Sequence, residues 1–122
     1  METNKGVKVF YAKTRKQWRN WLMKNSQSAT EICLVIAHKK STIKGVFYAD
    51  AVEEALCFGW IDSLTNKRDG DSFYQRFSPR KPKSNWSASN IERVERMISI
   101  GAMTMQGQKL IDMAKQTGTW PA

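Results

Sequence analysis

Apolar positions change period several times along this chain, and each change marks an element. Trp18, Trp21 and Leu22 recur at i, i+3 and i+4, the single apolar face of a helix. Thr14-x-x-Gln17 ahead of them has capping-box spacing, so a helix is predicted from Thr14 to near Asn25. The basic segment 1–13 before it holds only a short extended patch, Val9-Phe10-Tyr11. Glu31 to Ala37 is a short, β-branched apolar run, predicted as a buried strand. Ile43 to Phe47 reads as extended, with Gly45 at a turn or bulge.

From Tyr48 to Phe58 the helical period returns. Ala51, Val52, Ala55 and Leu56 form the inner face, and Asp50, Glu53 and Glu54 the solvated one. Gly59 stops this helix. Trp60 to Leu64 follows as a strand, and Asp69-Gly70 gives a hairpin signal. Phe73 to Phe77 then alternates, with Phe73, Gln75 and Phe77 sharing a face. Pro79 and Pro82 make Ser78 to Trp86 irregular. A third helix runs from Ser87–Asn90 to Ile100, with Ser89-x-x-Glu92 as its capping box and Ile91, Val94 and Ile98 as its core stripe. A fourth starts near Thr104, buries Gly107, Leu110, Ile111 and Ala114, and closes at Gly118. These elements predict one α+β domain over residues 1–122: a small antiparallel or mixed sheet of about three strands, packed with about four helices.

Charge sharpens this picture. The net charge is +9, and it is unevenly spread. Residues 1–44 carry +8, residues 45–65 carry −4 and residues 66–96 carry +4. Such a field attracts anionic small molecules, acidic protein surfaces or nucleic acid without choosing among them. No apolar run is long enough for a membrane helix, and the N-terminus leads into no long apolar stretch, so a cytoplasmic location is expected. Cys33 and Cys57 sit among apolar neighbours and read as reduced, buried small hydrophobes, with a disulfide or a reactive thiol as the alternatives. With His38 the sole histidine, no protein-built zinc site is expected. No glycine-rich phosphate loop or nucleophile elbow is present, so neither a cofactor nor a catalytic residue is assigned.

One segment concentrates candidate chemistry. Between Arg76 and Ser87 lie four positive charges and no acid in twelve residues. Its prolines restrict the backbone and so lower the entropy lost on binding. Arg76 and Arg80 offer forked donors, Ser84 and Ser87 offer hydroxyls, and a helix N-terminus follows. Asp62, polar within an apolar stretch, either meets a ligand or pairs with Arg76 or Arg80. The candidate ligand-binding residues are therefore Asp62, Arg76, Arg80, Ser84, Trp86, Ser87 and Asn90. On this reading Arg80→Ala weakens binding and changes stability little.

Several blocks together resemble the YdeI/OmpD-associated family, the bacteriocin-protection proteins of bacteria. They are Trp18-Arg19-Asn20-Trp21-Leu22; the run from Ala51 to Ser63; Arg76-Phe77-Ser78-Pro79-Arg80; Ser84-Asn85-Trp86-Ser87 with Asn90; Gly101-Ala102-Met103-Thr104; and Ala114-Lys115 with Gly118 and Trp120. The resemblance spans roughly residues 8–120. It implies a YjbR/CyaY-like α+β domain and an association with resistance to bacteriocins or cationic peptides. It implies no reaction and no catalytic residue. Longer members continue into a C-terminal helical extension, which this sequence, ending at Ala122, is expected to lack. The expected function is a binding module for an anionic small molecule or acidic partner. Nucleic-acid binding is the alternative, and an enzyme of unidentified reaction the third reading.

Overall fold

The computed structural model describes residues 2–121. Their elements are β1 (Thr3–Asn4), β2 (Val7–Phe10), α1 (Arg15–Asn25), β3 (Ile32–Ala37), α2 (Tyr48–Cys57), β4 (Trp60–Lys67), β5 (Ser72–Pro79), α3 (Ala88–Ser99) and α4 (Met105–Thr117). The α+β class and the four helices are as expected. The sheet has five strands instead of about three, in the order β1-β2-β3-β5-β4. It is mixed, because β2 runs parallel to β3 while the other neighbours are antiparallel. The two extra strands are the short N-terminal ones. A two-residue strand and a four-residue strand interrupted by Lys8 leave no alternation long enough to read. Ile43 to Phe47 contributes only an isolated bridge, Val46 to Ile36.

Strand parity divides the molecule. Ile32, Leu34 and Ile36 of β3 stand opposite Phe77, Gln75 and Phe73 of β5, and this face receives the helices. Trp18 of α1 packs its ring 5.2 Å from Phe77 and donates its Nε1–H to Ala51 O of α2 at 3.0 Å. Trp60 at the start of β4 likewise donates to Ser26 O. Both of these buried indoles therefore have their polar atom satisfied. Helix α2 lies between this layer and α3 and α4, so every residue from Ala51 to Cys57 is buried.

That position overturns the expected wet face. Glu53 and Glu54 are 6% and 4% exposed. Glu54 receives Arg15 Nε at 2.5 Å and Arg19 Nη1 at 2.8 Å, and Glu53 receives Arg15 Nη1 at 3.0 Å and Arg96. Arg15 also pairs with Asp50 at 3.0 Å. Two buried carboxylates thus tie α1, α2 and α3 together. On α3 Val94 is buried and Ile91 packs against the core as expected, but Met97 takes the place of Ile98, which is 43% exposed.

Two local irregularities shape the strands around the site. Gly59 ends α2 at φ 75°, a left-handed conformation that favours glycine, and its carbonyl accepts the Arg80 amide at 2.8 Å. In β4 the register against β5 shifts between Asp62 and Thr65. The buried Gln75 supports this bulge by donating Nε2–H to Ser63 O and Leu64 O, each at 3.3 Å. Asp62, two residues after buried Trp60 and opposite Phe77, faces the helices by ordinary alternation. The extra residue reverses the alternation only after it, so that Thr65 instead of Leu64 stands opposite Gln75. Strand β5 reaches Pro79, farther than expected. Its last residues lie beyond the start of β3 and need only β4 as a neighbour, so a missing N–H is tolerated. No helix among the described residues is long and apolar enough to cross a membrane.

Candidate anion site

The irregular segment after Pro79 folds back onto the start of α3. Arg80, only 7% exposed, lays its guanidinium carbon 3.9 Å from the centroid of the Trp86 ring. Trp86 is itself 6% exposed and packs against Trp120, centroids 5.2 Å apart. Arg80 Nη2 donates to Asn85 O at 2.6 Å. Its Nε is buried without any hydrogen-bond partner, and among the described residues Arg80 forms no ion pair. Burial lowers its pKa, and the charge of Asp62 only partly opposes that. A guanidinium held this way carries unspent hydrogen-bonding capacity.

Asp62 does not form the salt bridge expected with Arg76 or Arg80. Its Oδ2 accepts the Tyr48 hydroxyl at 2.5 Å. Burial, and then that hydrogen bond, push the Tyr48 phenol up to about 12, so Tyr48 is a neutral donor at physiological pH. Arg93 lies close enough to Tyr48 to oppose this shift, and its Nη1 donates to Asn90 Oδ1 at 3.0 Å. Arg93 too has no carboxylate partner among the described residues. Ser87, not Ser89, is the N-cap of α3. Its Oγ accepts the Asn90 amide at 3.2 Å and approaches Ser89 Oγ at 3.2 Å. The buried Trp86 fixes where the chain enters the helix and so moves the cap two residues earlier than the Ser89 box. The first-turn amides ahead of Asn90 have no helical acceptor and carry the positive end of the helix dipole.

Asp62, Arg80, Trp86, Ser87 and Asn90 are thus gathered around the start of α3. Two other expected residues are not part of this group. Arg76 stands opposite Cys33 on the other face of the sheet, where Nη2 pairs with Glu31 at 2.7 Å. Strand parity is the reason: Arg76 must point away from the face that Gln75 and Phe77 share. Ser84 donates its hydroxyl to Lys81 O at 2.9 Å and is spent holding the turn. Tyr48 and Arg93 belong to the group and were not anticipated. Arg93 is signalled weakly, as a base one turn into the helix that the basic loop feeds. Nothing in the sequence signals Tyr48.

Elsewhere chemistry is scarce. Both cysteines are free and buried. Burial pushes the Cys57 thiol up to about 11 and also raises Cys33, so neither is a ready nucleophile. Among the described residues no cluster of histidine, cysteine and carboxylate groups is arranged to hold a metal ion.

A family model described as a domain of unknown function (DUF8412) matches residues 10–110. That span contains every residue of the site. No curated protein and no solved structure matches the chain.

Proposed function

The chain belongs to the DUF8412 family, a membership that names no activity, and we propose that it is a binding module for an anionic small molecule or an acidic group on a partner. The observation that carries this reading is Arg80: buried, stacked on Trp86, and unpaired by any carboxylate of the described chain. An internal guanidinium is normally neutralised by the protein itself, because uncompensated burial of charge is costly. Arg15, Arg19 and Arg96, less buried than Arg80, are each paired with a carboxylate of α2, whereas Arg80 is not. Arg93, the free first-turn amides of α3, and exposed Lys81 and Lys83 add to the positive field around it. Asp62, an acceptor, favours a ligand that also presents a donor, such as a protonated phosphate oxygen or a hydroxyl.

The net charge of +9 also suits nucleic acid, but three of the five tryptophans that could serve as stacking platforms are enclosed: Trp18, Trp60 and Trp86 are 0%, 1% and 6% exposed. Kinship with the YdeI/OmpD-associated proteins is part of our reading and rests on the sequence blocks alone. The cytoplasm, with both thiols reduced, is the compartment we favour.

The test is a titration with inorganic phosphate at constant ionic strength, followed by amide chemical shifts. Saturable shifts are expected at Arg80, Ser87, Ala88 and Arg93. Arg80→Met keeps the apolar stem over Trp86 and should weaken binding roughly tenfold or more, the worth of a charge-assisted hydrogen bond. Unchanged affinity in that variant would refute the assignment.

A further inference from the structure

Two residues of the anion site also line a neighbouring cleft. Tyr48 and Arg93, together with His38, Lys39, Phe47 and Phe73, border an opening of about 570 Å³ between the end of β3 and the start of α2. This is within the range of small-molecule sites. Its lining has two features not otherwise explained. Phe47 and Tyr48 expose 42% and 39% of their surface and neither belongs to the hydrophobic core. Phe47 is also the N-cap residue of α2 and supplies no capping hydrogen bond. The cations are unpaired as well. The one acid in the lining, Asp50, is held by Arg15 at 3.0 Å, while Lys39 and Arg93 form no ion pair among the described residues. The His38 ring lies 5.2 Å from Phe73 and extends the aromatic wall.

We propose that this cleft receives the planar aromatic body of the ligand, so that the molecule bound is an aromatic or heteroaromatic ring carrying an anionic group such as phosphate or carboxylate. The ring lies among Phe47, Tyr48 and Phe73. The charged group lies toward Arg93, the cation that the cleft shares with the site around Arg80. This rests on the anion-binding reading and narrows it to a ligand class. Apolar walls supply affinity for the ring, and the unpaired guanidinium supplies orientation.

The experiment compares phenyl phosphate with inorganic phosphate, with phenol as the uncharged control, by amide shifts and dissociation constants at fixed ionic strength. Phenyl phosphate should bind about tenfold more tightly than inorganic phosphate, the worth of partly burying one ring, and should shift the Phe47, Tyr48 and Phe73 amides. Phenol should bind far more weakly than phenyl phosphate. Phe47→Ser, at an exposed position where serine adds a helix cap, should remove the tenfold gain and leave inorganic phosphate unaffected. Equal affinity for the two phosphates, or a gain that survives Phe47→Ser, overturns the cleft assignment while leaving the Arg80 site standing. Loss of the Arg80-dependent phosphate response, with the phenyl phosphate gain retained at the cleft, overturns the proposed function and supports the cleft. Absence of binding by both phosphates overturns both.

Discussion

Arg80 sits over Trp86, its guanidinium carbon 3.9 Å from the ring centroid, with its Nε sealed from solvent and bonded to nothing. The ring face offers electrostatic attraction but no acceptor strong enough to replace the lost water. The arrangement keeps a positive charge fixed in direction and poorly solvated, a state that costs folding free energy and that, on the proposed reading, a bound anion would offset.

That cost is measurable. Arg80→Met retains apolar cover over Trp86 and removes the desolvated charge. The carbonyl it leaves behind belongs to exposed Asn85, where water takes over. Arg80→Met should therefore unfold in urea at the same midpoint as the parent or higher, a gain of up to about 1 kcal/mol. Arg80→Ala, by contrast, strips the cover from a buried tryptophan and should cost about 1–2 kcal/mol. This departs from the sequence-based expectation that Arg80→Ala is neutral. A Met variant clearly less stable than the parent would show Arg80 to be a structural ion.

Gly107 decides between propensity and space. Alanine in place of glycine inside a helix should gain about 1 kcal/mol. A Cβ at position 107, however, would lie 2.5 Å from Cys57 O, 2.5 Å from Met103 Sδ and 2.7 Å from Leu56 O. The methionine can move, but two backbone carbonyls at the end of α2 cannot. Overpacking of this kind costs about 1–3 kcal/mol, so the clash wins. Gly107→Ala should lower the thermal midpoint, and an unchanged or raised midpoint would show that α4 has room to shift.

What the sequence disclosed was periodicity, and what it concealed was pairing. The helices are legible because Trp18 with Leu22, Val52 with Ala55, and Ile111 with Ala114 repeat at helical spacing and are buried. The alternation of Phe73, Gln75 and Phe77 is legible for the same reason, and it already implies that Arg76 points the other way. Which residues share that other face requires knowing that β5 lies between β3 and β4. The bulge that follows Asp62 is braced from the neighbouring strand by Gln75 and leaves no local mark. The sheet also curls until its edge strands meet, with Asn66 Nδ2 donating to Asn4 Oδ1 at 3.2 Å, a contact that spans most of the sheet. Tyr48 joins the site through an equally non-local bond to Asp62.

Glu53 shows most clearly how packing overrides a polar pattern, and its titration gives the last prediction. It lies on the side of α2 that local periodicity assigns to water, yet α3 covers that side and Arg15 and Arg96 come to meet it. Burial alone would raise its pKa, but the hydrogen bonds from Arg96 and Arg15, with their charges, outweigh burial and hold the carboxyl below its ordinary value of 4.5. A carboxyl depressed in the folded state binds its proton more readily when the chain unfolds. Its stabilising contribution is therefore fully present above pH 4.5 and is lost as the pH falls through the lower, folded value. Glu53→Gln removes the charge and keeps the shape. At pH 7 it should cost on the order of 1–2 kcal/mol, less than a fully enclosed pair, because the Arg15 and Arg96 side chains remain 35% and 49% exposed. Urea midpoints measured at pH 7, 4 and 3 should show the gap between parent and variant narrowing as the solution is acidified. A gap constant across that range would mean that Glu53 contributes through packing and neutral hydrogen bonds, and that its charge adds nothing to the joint between α2 and α3.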